Sequence, residues 1–322
     1  MNSLAIFKSG DSKYLRQRGV TLIELMVGIT IGFLTVAVAF GALMVSRGVS
    51  GTVTDASHMQ QQASYAFRVL GQQLRQAGSM QLDLAANKAA GATIAAEDVV
   101  VFAPNPEIYS ANPHIVPNTP AVAGKDVPAS GEYKISLAYQ NYQEDIFLSP
   151  TPTSLFRDCL GAGGNPTKAN PTVVPPIIQS QFVLTKDELY CAGSDPKNKQ
   201  QQIIKNVADF QVRYLNQSSA SATTGLPTVQ YTNAAGIPDH PEMSGTTDWG
   251  TVFGVEVCLV LYGDERVDMP DGSTYIGCDV DANGKGVAVD MSATGTLSAD
   301  RKNRLHMAFR SVYQLRSQGR TG

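Results

Sequence analysis

The sequence predicts an α+β fold. One long N-terminal helix, hydrophobic in its first half and amphipathic in its second, packs on an antiparallel β-sheet body with long loop insertions. Three observations carry this expectation. Val20 to Val45 is a run of 26 residues whose only charge is Glu24. No proline occurs before Pro104, and all 17 lie between Pro104 and Pro270. The proline-bearing part alternates short runs rich in Val, Ile, Phe and Tyr with stretches of Gly, Pro, Ser and Thr, the pattern of strands and loops. A chain of 322 residues, 43% hydrophobic and 16% charged, is long enough to bury a sizeable core. Its mean hydropathy of -0.09 excludes a polytopic membrane protein. A net charge of -3 spreads no global basic field of the kind that attracts nucleic acid.

The charge is unevenly placed. Lys8, Lys13, Arg16 and Arg18 against Asp11 give the first 19 residues a net +3. The apolar run that follows spans about 39 Å as a helix, more than the ~30 Å hydrocarbon core of a bilayer. A cleaved secretory signal usually has an apolar region of about 7–15 residues ending at a small-residue site. This run is longer and continues into another helical pattern. The positive-inside rule keeps the basic leader cytoplasmic, giving a single span with the N-terminus in and the C-terminus out across the inner membrane. The expected plan is a leader at 1–19, a transmembrane half-helix at 20–45, an amphipathic half-helix at 46–78 and a periplasmic or extracellular β-rich body at 79–322.

Glu24 needs an explanation, because a lone carboxylate in lipid costs on the order of several kcal/mol. Its surroundings supply one. Arg18-Gly19-Val20-Thr21-Leu22-Ile23-Glu24-Leu25 resembles the class III signal of type IV pilins and type II secretion pseudopilins. Val20 stands where that family usually has phenylalanine. The resemblance implies the type IV pilin fold, cleavage by a prepilin peptidase between Gly19 and Val20, and N-methylation of the new Val20 amine. It also implies that Glu24 pairs with the α-amine of a neighbouring subunit on assembly, which gives the buried charge a partner.

The helix continues past Val45. Val49, Val53, Ala56, Ala63, Phe67, Leu70, Leu74 and Ala77 recur at spacings of three, four and seven, so they mark one apolar face. Gly78 is placed to end the helix as a C-cap. Six glycines between Gly28 and Gly71 each lower helix propensity by about 1 kcal/mol relative to alanine, and those within the span suit close helix packing. His58 falls on the polar side of this helix.

Strand character appears at 98–102, 133–139, 181–184, 207–215, 251–262 and 305–315. The last alternates, with Leu305, Met307, Phe309, Tyr313 and Leu315 on one face and His306, Arg310, Gln314 and Arg316 on the other, a half-buried strand. The intervening 103–130, 149–180 and 216–249 are too long for hairpin turns and read as surface loops or small inserted strands.

Within the family, Ala63 to Gly78, ending Leu74-Arg-Gln-Ala-Gly78, resembles the helix end of minor pilins of the PilW type. So do Val207 to Tyr214 and the C-terminal strand introduced by Asp300-Arg301-Lys302. This resemblance implies a minor pilin that helps initiate pilus assembly and sits in the tip complex, serving twitching, adhesion or DNA uptake. Its partners would be other minor pilins, the major pilin, a tip adhesin, the prepilin peptidase and the inner-membrane assembly platform. Two alternatives stand beside it: a minor pseudopilin of a type II secretion system, and a tip receptor for DNA or surfaces.

Four cysteines, Cys159, Cys191, Cys258 and Cys278, all follow the span, in a compartment where disulfides form. Three pairings exist, and sequence proximity favours Cys159–Cys191 with Cys258–Cys278. Asp279, Asp281, Asn283, Gly284 and Asp290 have the spacing of an EF-hand-type loop, with aspartate in the twelfth position where glutamate is usual. Calcium is therefore the one cofactor the sequence suggests. Asn283-Gly284 is equally a type I′ hairpin signal. No His-Glu-x-x-His pair, Gly-x-Ser-x-Gly elbow or dinucleotide loop is present, so no enzyme is expected. Trp249 is expected to pack on the body. Arg301, Lys302, Arg304, Arg310, Arg316 and Arg320 make the C-terminus basic, which reads as a solvated sheet edge or a DNA-contacting patch.

Overall fold

The computed structural model describes residues 19–79, 82–83, 101–102, 120–140, 156–163, 177–194, 200–217, 228–240, 243–281 and 284–315. The chain divides into two compact units, one ending at Gly51 and the other beginning at Thr52. Helix α1, Leu22–Gln76, runs through both and is 55 residues long.

In the first unit the helix is bare. Leu22–Met44 is an apolar stretch of 23 residues with a mean hydropathy of 2.2 and no buried side chain. Leu22, Ile23, Phe33 and Leu34 are each more than two-thirds exposed. An apolar surface of that length has no stable place in water, and it makes the segment a membrane anchor.

In the second unit the same helix is covered on one side. Asp55, Met59, Ala63, Ala66, Leu70 and Leu74, followed by Ala77, are buried at spacings of three and four. Ala63, Leu70, Leu74 and Ala77 of the expected apolar face are buried and Phe67 packs on the core; the face departs from the expectation only at its start. Val53 is 61% exposed, and the buried place belongs to Asp55. The Asp55 carboxylate accepts from the Glu265 N–H at 2.9 Å, and Gly263 has no Cβ to obstruct it. The helix ends at Gly78, whose φ is +74° and whose N–H donates to the Ala138 carbonyl at 2.8 Å.

Two antiparallel sheets receive that face. The first is a meander of β3 (Val122–Gly124), β4 (Ile135–Gln140), β5 (Ile177–Thr185), β6 (Glu188–Ala192) and β7 (Gln201–Ile204), in that order; before it a two-strand pair joins β1 (Leu82–Asp83) to β2 (Val101–Phe102). The second sheet is built on β12 (Val252–Arg266). β8 (Val207–Gln217) lies on one side of it and β15 (Arg304–Gln314) on the other, with β9 (Val229–Thr232) outside β8. Val255, Val257, Leu259 and Leu261 alternate inward along β12 and are completely buried. They share one core with the helix and with Leu137, Phe182 and Leu189 of the first sheet. β10 (Asp239–His240) and β11 (Met243–Thr247) make a small pair within the 216–249 insertion. Trp249 packs on the core, edge-on to Tyr214 at 5.0 Å.

A separate hairpin, β13 (Thr274–Val280) and β14 (Gly286–Asp290), lies on the outer face of the second sheet, where Cys258, Val260 and Cys278 form a small apolar cluster with Ala208 and Tyr275. The outer side of β15 is therefore not a uniformly polar, solvated face. His306 is only 3% exposed, and its ring stacks on Tyr275 of the hairpin at 4.9 Å.

Candidate processing and assembly site

Gly19 and Val20 have no regular secondary structure and are exposed. Thr21 is the N-cap of α1. Its carbonyl accepts the first intrahelical bond, from Leu25 N–H at 3.1 Å, and its Oγ1 accepts from Glu24 N–H at 3.3 Å. Glu24 thus occupies the third helical position. There a carboxylate is favoured by the positive end of the helix dipole and completes a capping-box sequence, Thr-x-x-Glu. The glutamate is exposed, with exposed Leu22, Ile23 and Leu25 around it. Further along, Thr30 and Thr35 donate their hydroxyls to the carbonyls of Val27 and Gly32 at 2.9 and 2.8 Å, so neither needs water. Gly28, Gly32 and Gly41 have open space where a Cβ would stand.

The body is held by two disulfides and a buried polar network. Cys159 is bonded to Cys191 of β6 and Cys258 of β12 to Cys278 of β13, with Cα separations of 6.4 and 5.7 Å. Gln73 of the helix, 2% exposed, accepts from the Tyr139 hydroxyl at 2.7 Å and the Ser180 hydroxyl at 2.9 Å, and donates to the Arg157 carbonyl at 3.2 Å. Ser180 in turn accepts from Cys159 N–H at 3.1 Å. Next to it the Asp158 carboxylate accepts from the N–H groups of Leu160, Ala162 and Ser194, each at 2.9 Å. Burial raises the Tyr139 hydroxyl well above the ordinary tyrosine range, so it stays a donor. One amide thereby fastens the helix to the segment carrying Cys159. Nothing in the hydrophobic pattern marked Gln73, because its partners are 66 and 107 residues away.

The described residues of 279–290 belong to the β13–β14 hairpin. Asp281 turns the hairpin: its N–H donates to the Lys285 carbonyl at 2.8 Å and its carboxylate accepts from Lys285 N–H at 2.9 Å. Gly284 takes a φ of +78° there. Asp279 accepts from the Gln211 amide at 2.7 Å. Asp290 pairs with Thr274 at the far end of the hairpin and accepts from Ser292 N–H at 2.8 Å; the Ser292 side chain, then that N–H, hold its carboxyl below the usual range. Asn283 lies outside the described residues. The described carboxylates are spread along the hairpin, where strand pairing sets their spacing. Among the described residues no group of three or more His, Cys, Asp or Glu is placed to hold a metal.

The basic C-terminal residues that are described are internal clamps. Arg301 pairs with Asp187, which also accepts from the Tyr262 hydroxyl at 3.0 Å. Burial pushes the Asp187 carboxyl up, but Arg301 outweighs it and leaves it below the usual carboxylate range. Arg304 donates to the carbonyls of Asp300 and Gly263 at 2.7 and 3.0 Å. Arg310 bonds Glu256 at 3.2 Å and the carbonyls of Gly277 and Cys278 at 2.8 and 2.9 Å, holding the hairpin to the sheet. Arg316 and Arg320 lie outside the described residues.

Residues 14–40 match the prokaryotic N-terminal methylation motif. No curated protein matches the chain. Among solved structures, the type IV-like pilin TTHA1219 from Thermus thermophilus is similar over 81% of this chain and 98% of its own, at 9% identity and a TM-score of 0.32. The motif lies at the head of the exposed apolar helix, which the antiparallel body follows in the chain. The motif implies processing by a prepilin peptidase, and the single long apolar helix is consistent with a membrane-anchoring segment.

Proposed function

We propose that the chain is a PilW-like minor pilin, cut between Gly19 and Val20, N-methylated on Val20 and built into the tip of a type IV pilus. The observation that carries this reading is an exposed, non-helical Gly19–Val20 bond two residues ahead of a capped apolar helix bearing Glu24. Before assembly the chain crosses the inner membrane once, N-terminus in and C-terminus out. On assembly the apolar helix leaves lipid for the packed helices of the filament, and Glu24 meets the α-amine of a neighbour. The partners are the other minor pilins, the major pilin, a tip adhesin and the inner-membrane assembly platform.

The resemblance of the helix end, of the β8 sequence and of the approach to β15 supports a minor pilin over a major one. The test is co-purification of the full chain from membranes after mild cross-linking. Recovery with minor pilins and a large tip adhesin supports the proposal. Recovery with general secretion components alone would replace it by a minor pseudopilin of a type II system.

A further inference from the structure

We propose that the cleft between the β3–β4 turn, strand β8 and the tip of the β13–β14 hairpin binds an acidic sugar, a uronic acid residue whose carboxylate is taken by the Arg213 guanidinium. The cleft encloses about 330 Å3, at the small end of the roughly 300–1,000 Å3 usual for ligand pockets. Asp126 and Lys134 reach it from the β3–β4 turn, Gln211 and Arg213 from β8, Asn233 from the cap of the short helical turn Ala234–Gly236, and Asp279 from β13. Arg213 carries the argument. Its side chain is 24% exposed, yet among the described residues its guanidinium makes no hydrogen bond. Glu256 stands 3.9 Å away, too far for one, and is bonded instead by Arg310 at 3.2 Å. The Tyr231 ring lies against the guanidinium, with its centre 5.3 Å from Cζ. A planar fork held by an aromatic ring, with its donors unused, is matched by a carboxylate, which accepts parallel bonds from it.

The rest of the lining says what else the ligand carries. Lys134 and Arg213 balance Asp126 and Asp279, so these groups leave no surplus of either sign. The Asp126 carboxylate accepts from the N–H groups of Ala234 and Ala235, each at 2.9 Å, and Asp279 accepts from the Gln211 amide at 2.7 Å. A carboxylate oxygen has more than one lone pair, so both acids can still accept from hydroxyl groups. Lys134 donates to the Asp126 carbonyl and has further N–H bonds to give, and the Asn233 side-chain nitrogen donates to no described group. A ring bearing one carboxylate and several hydroxyls meets all of these groups. An acidic peptide does not, because its further carboxylates would face Asp126 and Asp279 as like charges. A neutral sugar offers Arg213 hydroxyls alone. Tyr231, 47% exposed beside the cleft, adds an aromatic surface on which a sugar ring can lie.

The experiment titrates the full chain, in detergent, with oligogalacturonate and oligoglucuronate by calorimetry, beside neutral oligogalactose and triglutamate. The expected result is binding of a uronate oligomer about ten-fold tighter than of the neutral oligomer or the peptide. Arg213→Lys keeps the charge and loses the fork, so it should weaken that binding about ten-fold. Tyr231→Ala should weaken it several-fold at an unchanged denaturation midpoint. No binding of either uronate by the wild type overturns the proposal. So does triglutamate bound as tightly, which would make the cleft a site for an acidic protein segment, and so does an Arg213→Lys chain that binds like the wild type. If Arg213→Lys does not fold, Lys134→Gln and Tyr231→Ala decide: weakened uronate binding in folded variants supports the site, and undiminished binding by both overturns it.

Discussion

Tyr313 lies across Gly71. Its hydroxyl donates to the Phe67 carbonyl at 2.9 Å, and a Cβ on Gly71 would stand 2.5 Å from its ring. The C-terminal strand and the helix meet only because residue 71 has no side chain. Gly71→Ala should therefore destabilise the body by about 1–3 kcal/mol through overpacking, although alanine is the better helix former by about 1 kcal/mol. Denaturant melts of the disulfide-intact protein check the sign. Gly28→Ala, where a Cβ meets open space, should leave those melts unchanged.

Gln73 should behave as the keystone of its polar network. Gln73→Leu leaves the Ser180 hydroxyl without its acceptor, at a cost of about 1–3 kcal/mol for an orphaned buried group, while the Tyr139 hydroxyl keeps the Arg157 carbonyl at 2.7 Å. Tyr139→Phe together with Gln73→Leu should cost less than the two single losses added. A double-mutant cycle measures that coupling, and strict additivity would mean that the network does not act as a unit.

Burial, with Arg301 and Arg304 nearby, holds His306 below its ordinary value of 6.5, and the weak pull of the Arg304 carbonyl does not offset this. Above pH 6.5 the ring is neutral in both the folded and the unfolded chain, and its contribution to stability is fully present. As the pH falls below 6.5 the unfolded chain takes up a proton that the folded chain resists, so stability drops toward the depressed folded value. Denaturation midpoints between pH 7.5 and pH 5 should fall accordingly. His306→Phe should flatten that part of the curve, since it removes the proton site and the unpartnered Nε2 together.

The hairpin fold of 274–290 predicts a melting temperature indifferent to millimolar calcium or chelator. Replacing both Cys258 and Cys278 by serine should lower it by about 10 °C, from a closed loop near 20 residues worth roughly 3 kcal/mol. A rise in melting temperature with calcium would restore the ion-binding reading.

The fold was legible wherever one short window contains its own cause. The lipid-length apolar run, the glycine that ends the helix, and strands β4, β5, β8, β12 and β15 all announce themselves by local pattern. Short strands such as β6, β7, β13 and β14 do not, because each is held by a partner elsewhere. The turn between β5 and β6 uses Lys186 and Asp187 at φ of +50° and +62°, with no Asn-Gly or Asp-Gly to signal it. Asp187 finds its reason in Arg301, more than a hundred residues later. Distant partners likewise hid Asp55 and Gln73, and the packing of the β13 hairpin hid His306. At the processing site the sequence supplied the motif and Glu24; the capping role of Thr21 needed the hydrogen bonds.

Glu24 has two separable duties. As the third residue of the helix it favours the capped start; as a charge it is proposed to meet a neighbour's amine on assembly. Glu24→Gln keeps the hydrogen-bonding shape and removes the charge, so it should insert and be cleaved normally yet be depleted from sheared filaments. Normal recovery of that variant from filaments, in an otherwise wild-type set of pilins, would remove the pairing role.

Whether this chain is a processed subunit of the filament is read most directly from the mass of its N-terminus in purified pili. The expected mature chain begins at Val20 and carries one added methyl group on its α-amine. A filament-borne chain that still holds residues 1–19 would contradict it.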